Sequence, residues 1–517
     1  MAVAKAIMNW HKRILSAMAT RYRHGSITPP HAASGGLALV RNKPGLGNLN
    51  TAITELPLPQ QLVYPLLDYS KHAVKPWVAV GASVTLGDKL AHGILATANG
   101  VVQAIEPRQI IHPSYREALC VVVDVDTSCN EQKQSLPPLE ALDTHRLEQA
   151  GIFGLGGAGF PTVSKLANAN KNGHGIQTLL VNAVECEPLI SCDEALIRSN
   201  AIDVVHAIVS MIKLSACQRC IVAIEEDKLE AIDALDTAIA TIQTDTPIDL
   251  VRLTAIYPSG AEKVLVQRIT GRAIPSGSRA SDDGVLCLNV ATIVATWYAQ
   301  AGYPLISRVV TVGGGMSSNP VNIRVRIGTS VLDVLRMTGN LPASDQARVR
   351  AGGPLSGFDL PSLAVPITAT TNAISIEATA LKNEAVSCIR CSQCSDVCPI
   401  NLVPQQLFWY AKADDVDGAR RFGLADCIEC GCCDLVCPSH IELTSTFRHC
   451  RAIWREQEYQ KCEAELARAR YEQRDRRLAL REQEAQRIRD EKKSLLSSTS
   501  DPIAAALARS RARKKSS

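Results

Sequence analysis

Two stretches with the same cysteine spacing decide how one part of this chain folds: CIRCSQCSDVCP at residues 388–399 and CIECGCCDLVCP at residues 427–438. Both read C-x2-C-x2-C-x3-C-P, a spacing typical of cubane [4Fe–4S] ligation. Three closely spaced cysteines of one copy can bind three irons, and the fourth, next to a proline, usually reaches the other cluster. The spacing therefore predicts two clusters with crossed ligands. We assign cluster A to Cys388, Cys391, Cys394 and Cys437, and cluster B to Cys398, Cys427, Cys430 and Cys433.

Structural zinc is the first alternative, because C-x2-C pairs also bind zinc. Zinc sites use two pairs separated by a longer loop, which two sets of four at identical short spacing fit badly. A disulfide framework fits less well, since 18 cysteines in 517 residues do not make a small secreted scaffold and no secretory signal is recognised. We therefore expect a reducing compartment. Cys432, beside Cys433, is interpreted as a small buried filler rather than a ligand.

Length and charge limit the possible functions. The 517 residues leave room for several domains, and the formal net charge of +4 is too slight to favour nucleic acid as the main partner. We see no apolar stretch approaching the roughly 20 residues that a membrane span needs.

Composition and periodicity predict a multidomain protein of α/β and α+β class. We expect these segments: a basic arm at 1–25, a β module at 26–125, a polar linker at 126–142, an α/β domain at 143–305, a mixed α+β domain at 306–371, a cluster domain at 372–450 and a charged helical tail at 451–517.

A glycine-rich stretch, GIFGLGGAGFPTVSKL, opens at Gly151. Gly154, Gly156 and Gly159 match G-x-G-x-x-G, but a helical pattern precedes them where a Rossmann fingerprint needs a strand. We therefore reject the Rossmann assignment. The glycines still allow a phosphate or flat ring to approach the backbone, and the following Pro-Thr suits a helix N-terminus that faces an anion. Lys165 would add positive charge one turn later.

Acidic and amide side chains follow a predicted buried strand in QTLLVNAVECEP. Asn182, Glu185 and Glu187 would emerge at its carboxyl end, where α/β folds bind ligands. A third segment, YPSGAEK at residues 257–263, begins another helix. Together with the glycine loop, these segments predict a nucleotide or flavin site.

The same motifs carry a family resemblance. GLGGAGFPT, NAVECEP, YPSGAEK, ITGRAIPSG, GVLCLNVAT and the double cysteine motif follow one another in this order. Over roughly residues 20–450 the chain resembles the RnfC family of the Rnf (also Rsx) ion-translocating electron-transport complexes. Its middle domain is also similar to the flavin-carrying, NADH-oxidising subunit of respiratory complex I.

The resemblance implies a non-covalent FMN and an NAD(H) site, with no side chain acting as a catalytic acid or base. Flavin-lining residues would be Gly154, Gly156, Gly157, Gly159, Lys165, Asn182 and Asn289, and Glu185 and Glu187 would face the nicotinamide nucleotide. It also implies a lipoyl-like barrel-sandwich β module, a soluble-ligand-binding (SLBB-like) β-grasp domain near 308–360 and a bacterial ferredoxin-like cluster domain.

The implied function is peripheral electron transfer in a translocase on the cytoplasmic face of the bacterial inner membrane. Electrons would pass between NAD(H) and a low-potential or membrane acceptor through FMN and two [4Fe–4S] clusters. The implied partners are the membrane-embedded and other subunits of the complex, and a ferredoxin, with no nucleic acid.

Two other functions stay open from the sequence. One is an NADH-dependent corrin reductase, which is similar in the same domains but usually lacks a long charged helix after the clusters. The other is an iron–sulfur relay with a degenerate nucleotide site. Three departures from the family pattern favour the relay: Ser259 and Ala261 stand where glutamine and glycine are expected, and Ala291 replaces a glycine. A fourth departure is Leu189, which stands where an aromatic residue is usual.

Overall fold

The computed structural model describes residues 35–39, 53–68, 72–113, 116–128, 135–157, 159–171, 175–342, 346–379, 384–497 and 502–514. The chain divides into two compact units, Met1–His449 and Cys450–Ser517. The predicted basic arm at 1–25 lies outside the described residues. The described part of the predicted linker at 126–142 packs against the α/β domain. Leu142 is buried, and the Leu139 amide donates to the Gln300 carbonyl.

Short strands form the β module, as the Gly- and Pro-punctuated sequence predicts. A four-stranded antiparallel sheet has the order β2-β7-β6-β3, and β4 pairs with β5. The strands are β2 (Gln61–Pro65), β3 (Ser83–Val84), β4 (Lys89–Ala91), β5 (Ile94–Leu95), β6 (Gly100–Gln109) and β7 (Glu117–Val125). Leu62, Tyr64, Val121 and Val123 are buried in one core, and Val63 and Val122 in another, because successive strand side chains point to opposite faces.

The α/β domain is built on a parallel sheet with the strand order β10-β9-β8-β11. Its elements are α1 (Thr144–Gln149), α2 (Thr162–Lys171), β8 (Thr178–Ala183), α3 (Cys192–Ser215), β9 (Arg219–Glu225), α4 (Leu229–Thr241), β10 (Ile248–Leu253), α5 (Glu262–Thr270), β11 (Val285–Asn289) and α6 (Val290–Gln300). Leu179 and Val181 pack into one core and Leu180 into another, so both sheet faces are covered. The ends of β8 and β11 then lie side by side, where ligands bind in such sheets.

The α+β domain contains a six-stranded sheet with the order β1-β13-β12-β16-β14-β15. Its elements are β1 (Thr54–Glu55), β12 (Ser307–Gly313), β13 (Val321–Arg326), α7 (Val331–Met337), β14 (Ala347–Ala351), β15 (Phe358–Asp359) and β16 (Ala373–Ala378). The boundary expected at 371/372 is wrong, because β16 pairs with β12 and β14 and buries Ile374 and Ile376 in this core. The β module also contributes β1 to this sheet.

In the cluster domain, the two copies of the cysteine motif have similar backbone conformations. The elements are α8 (Gln393–Asp396), α9 (Pro404–Lys412), α10 (Val416–Arg421) and α11 (Cys432–Leu435). Three pairs of equivalent positions share a left-handed conformation: Arg390 and Glu429, Ser392 and Gly431, and Asn401 and His440. Few L-residues adopt this conformation without support from their surroundings. Both copies therefore make the same turns around their cysteines.

The charged segment predicted at 451–493 lies in a longer helix, α12 (Leu443–Ser497), which begins within the predicted cluster domain. The predicted charged tail also contains a second helix, α13 (Pro502–Lys514). Elsewhere, the 24-residue helix α3 is apolar enough to cross a membrane by length and composition, which corrects the expectation from sequence. Half of its most apolar window is buried inside the protein, and α3 packs against α4 and α6, as the core helix of a globular domain does.

Candidate functional site

The eight predicted ligand cysteines line two separate cavities in the cluster domain. Three cysteines of one copy and the last cysteine of the other copy meet in each cavity. The first cavity is lined by Cys388, Cys391, Cys394 and Cys437, and the second by Cys398, Cys427, Cys430 and Cys433. These are the two groups that the sequence assigned to clusters A and B, and we call the spaces cavity A and cavity B.

The remaining walls of the two cavities are mostly apolar. Phe408 and Leu443 line cavity A, and Leu407 and Phe447 line cavity B. Burial raises the pKa of Cys398 and Cys433, so these thiols are neutral in the metal-free protein at neutral pH. Bound iron would offset the free-energy cost of ionising these buried thiols, because it binds the thiolate form. Four convergent sulfurs in an apolar pocket fit a cubane, whose potential depends on burial and nearby hydrogen bonds.

The extra thiol, Cys432, is buried as expected, with 1% exposure. It lines cavity B and forms a hydrogen bond that is the largest cause of the raised pKa of Cys430. The sequence interpretation of Cys432 as a filler is therefore incomplete, because its side chain contacts a predicted ligand.

The glycine loop joins helix α1 to helix α2, as the sequence predicts. The Gly154 amide donates to the Phe160 carbonyl at 2.8 Å, and the Leu155 amide donates to Thr292 Oγ1 at 2.8 Å. Gly157 has a φ of +99°, and an added Cβ there would meet no atom within 4 Å. Its backbone faces open space just before a helix N-terminus, an arrangement that suits an anion or flat ring.

Two asparagines lie side by side at the carboxyl edge of the sheet, where Asn182 of β8 pairs in register with Asn289 of β11. Asn182 Nδ2 donates to the Gly260 carbonyl at 2.8 Å. Asn289 Oδ1 accepts from the Ala291 amide at 3.0 Å and so caps helix α6. A Cβ added to Gly156 would lie 3.1 Å from the Asn289 Cβ. The structure therefore brings together the glycine loop, the two asparagines and the start of α5.

Lys165 projects toward the same edge. Its Nζ forms an ion pair with Glu262 Oε2 at 2.6 Å and donates to the Cys287 carbonyl at 2.9 Å. The side chain of Lys165 is 19% exposed and that of Glu262 is 37% exposed, so the pair is partly shielded from solvent. Lys165 thus links α2 to α5.

The two predicted acidic residues have partners that the sequence did not suggest. Glu185 is buried and accepts backbone hydrogen bonds from Asp193 at 3.0 Å and Glu194 at 3.2 Å, at the start of α3. Glu187 accepts from the amides of Leu355 at 2.8 Å and Ser356 at 3.1 Å, in a loop of the α+β domain. In this structure both carboxylates accept hydrogen bonds from backbone amides.

Asp193 is a site residue that sequence reasoning missed. Its Oδ2 accepts from Asn289 Nδ2 at 2.6 Å, and it lines a cavity of about 510 Å³ together with Leu155 and Arg308. Burial, followed by the nearby charge of Glu185, raises the pKa of Asp193 to about 7. An acidic residue in the first turn of a helix is common, so the sequence carried no distinctive signal for it.

We expect the pH dependence of stability to change in Asp193→Asn. Between pH 4 and 7 the native carboxyl holds a proton that the unfolded chain has lost, so native stability falls as pH rises through this window. The slope is at most about 1.4 kcal/mol per pH unit. Urea unfolding at several pH values should give a flatter profile for Asp193→Asn, and the surface variant Asp236→Asn serves as the control. An unchanged profile in Asp193→Asn would show that Asp193 is ionised in the native protein throughout this range.

Comparison with known proteins agrees with this architecture. Residues 147–297 match the family described as the Nuo51 FMN-binding domain, and residues 32–128 match the RnfC barrel sandwich hybrid domain. The RnfC protein of the ion-translocating oxidoreductase complex of Yersinia pestis bv. Antiqua (strain Antiqua) is 40% identical over 84% of this chain and 71% of its own length. The chain belongs to the RnfC family of ion-translocating oxidoreductase complexes. The family resemblance seen in the sequence is thereby confirmed.

Another member of this family, from Erwinia tasmaniensis, is 40% identical over 90% of this chain and 59% of its own length. The chain thus spans about three fifths of that relative. Among solved structures, an NAD+-reducing [NiFe]-hydrogenase in its H2-reduced state has a TM-score of 0.42 and 16% identity, covering 60% of this chain and 59% of its own. That similarity is too low to support an argument about function.

Proposed function

We propose that this chain is a peripheral electron-transfer subunit of an ion-translocating oxidoreductase complex and exchanges electrons with NAD(H). One observation carries the proposal: a domain of the FMN-binding type and two cavities that each contain four predicted ligand cysteines occur in one compact unit. They are in direct contact, since Tyr257 Oη donates to the Cys430 carbonyl at 2.6 Å. A flavin and two cubanes would need this proximity to exchange electrons.

Each proposed cofactor has its own set of residues. FMN would supply the link between two-electron hydride chemistry and one-electron transfer. Gly154, Gly156, Gly157, Gly159, Lys165, Asn182 and Asn289 would hold it, and Glu185 and Glu187 would serve the NAD(H) side. Backbone amides at the start of α2 would face the phosphate, while the two asparagine amides would orient the ring. The eight cysteines would hold two [4Fe–4S] clusters with crossed ligands.

Two of the family departures, Ala261 and Ala291, fit the local backbone, which argues against a degenerate site, whereas Leu189 has a left-handed φ of +65°. Ala261 has φ −70° and ψ 130°, a conformation that any L-residue adopts, and Ala291 lies in the first turn of α6. Ser259 is buried and accepts a hydrogen bond from Arg268 at 2.5 Å. The neighbouring Gly260 is retained where a Cβ would approach the Val184 carbonyl at 2.5 Å. The close-approach glycine is therefore kept.

Location and partners follow from the family. We propose that the chain binds the cytoplasmic face of a bacterial inner membrane through the membrane-embedded and other subunits of the complex, with a ferredoxin as a further redox partner. The names of the relatives favour this over the corrin reductase alternative. Affinity purification from membranes tests it, because a corrin reductase would instead accompany a diol dehydratase.

The experiment that tests the redox role is anaerobic reconstitution of the full chain with iron, sulfide and FMN, followed by addition of NADH. We expect close to one FMN per chain and bleaching of the flavin absorbance by NADH. Full cluster loading without bound flavin would support the relay alternative instead. Bound flavin that NADH does not bleach would remove the dehydrogenase role and leave the FMN assignment standing.

A further inference from the structure

The second cysteine copy is attached to the α/β domain by three side-chain bonds. Besides the bond from Tyr257 to the Cys430 carbonyl, Lys263 Nζ pairs with Asp426 Oδ1 at 2.6 Å. Ser276 Oγ donates to the other oxygen of Asp426, also at 2.6 Å. Asp426 immediately precedes Cys427. Both the start and the middle of the segment 427–433 are therefore fixed against the domain that carries the glycine loop.

A loop of the α+β domain fixes the same segment from another side. An added Cβ at Gly431 would meet the Leu355 carbonyl at 2.6 Å, so the two backbones are in close contact. Arg448 donates to the Ser356 carbonyl at 2.7 Å and pairs with Glu429 at 3.2 Å. The amides of Leu355 and Ser356 in turn bind Glu187. Cavity B thus lies where three domains meet, beside a predicted nucleotide-site carboxylate.

Cavity A has a different environment. Among its cysteines, Cys391 is exposed, whereas Cys398 of cavity B is buried. The side chain of Ile389, between the first two cysteines of cavity A, is 66% exposed, and Val386 is 58% exposed. One ligand cysteine of cavity A is therefore exposed, whereas those of cavity B are buried or half-buried.

We propose that cluster B is the inner cluster, next to the nucleotide domain, that cluster A is the outer cluster, and that Tyr257 is the positioning residue that holds the Cys430 loop. The proposal rests on the proposed function, because it orders the clusters relative to the flavin domain. Tyr257 is only 4% exposed, so water does not readily replace its hydroxyl as the donor to the Cys430 carbonyl. A hydrogen bond to the peptide of a ligand cysteine withdraws electron density from the cluster and favours its reduced state.

The test is Tyr257→Phe in the full reconstituted chain, with redox titration followed by electron paramagnetic resonance. Phenylalanine keeps the ring and removes the hydroxyl, which bonds the Cys430 carbonyl and also interacts with Glu187. Cys391→Ser and Cys427→Ser backgrounds isolate clusters B and A respectively. We expect Tyr257→Phe to move the midpoint potential of cluster B to a more negative value and to leave that of cluster A unchanged. Tyr298→Phe, whose hydroxyl donates to Asp203 at 2.9 Å in the same domain, is the matched control.

A shift confined to cluster A, or equal shifts in both clusters, would overturn the proposal, as would no shift in either. If Tyr257→Phe fails to assemble, the same two single-cluster backgrounds provide a second measurement, the rate of iron loss to a water-soluble chelator. Cluster A should lose iron faster than cluster B, and the opposite order would overturn the assignment. Neither readout uses NADH or flavin, so this inference and the proposed NAD(H) activity can fail independently.

Discussion

Cys437→Ser is expected to remove the same cluster as Cys388→Ser, although the two positions belong to different copies of the motif. Cys398→Ser should correspondingly resemble Cys430→Ser. The reason is the crossed arrangement, in which the last cysteine of each copy lines the cavity of the other copy. Among the residues that line cavity A, a cubane that loses one of four thiolate ligands finds no further thiol, and in cavity B the one further thiol is that of Cys432.

Iron analysis and paramagnetic resonance of the reduced protein check this prediction. Each single variant should fall from about eight irons per chain to about four, because one of two four-iron clusters is lost. The spectra of Cys437→Ser and Cys388→Ser should match one another and differ from that of Cys433→Ser. Cys462→Ser, an exposed cysteine of the tail helix, is the control and should keep both clusters.

If instead the four cysteines of each copy bound one cluster, a different pair of variants would share a spectrum. Cys437→Ser would then resemble Cys433→Ser, and the cysteines of one copy would form one site. In cavity B, Cys432 makes the outcome informative, because its buried thiol lies beside Cys433. Partial iron retention in Cys433→Ser that disappears in a Cys432→Ser background would identify Cys432 as a substitute ligand.

The sequence could predict the cysteine groups because their information is local and repeated. Identical spacing forces identical turns, seen in the paired left-handed positions such as Ser392 and Gly431. The glycine loop, the acidic strand end and the helix that begins in YPSGAEK were predicted for the same reason. Each depends on a few neighbouring residues whose types favour a turn, a strand end or a helix start. The family match to an FMN-binding domain confirms the class of that domain.

What the sequence could not predict depends on contacts between distant segments. Glu187 binds amides 168 and 169 positions later, and Tyr257 reaches a carbonyl 173 positions later. No spacing rule encodes such pairs. The boundary at 371/372 failed for a related reason, because Ala373 of β16 pairs with Thr311 of β12, 62 positions earlier. For α3, hydropathy alone does not distinguish a buried core helix from a membrane span.

Gly157→Ala is expected to abolish stable flavin binding, with a fall in affinity of at least about tenfold, which corresponds to about 1.4 kcal/mol. Gly157 has φ +99° and faces open space in the loop, five residues before the helix that would face the phosphate begins at Thr162. A methyl group there would occupy the space that the proposed flavin needs for close approach to the backbone. Flavin content after gel filtration, and titration of the flavin-free chain with FMN, measure the loss.

Backbone strain has to be separated from lost contact. Any side chain at a left-handed position costs about 1–2 kcal/mol, so Gly157→Ala also destabilises the loop. Gly81 offers a matched control in the β module, because it has φ +85° and an added Cβ there also meets no atom within 4 Å. The two alanine variants carry similar strain, and flavin loss confined to Gly157→Ala would therefore come from the contact itself. Equal flavin retention in both variants would show that the ring and phosphate bind elsewhere, and the Asn182–Asn289 edge would then need another ligand.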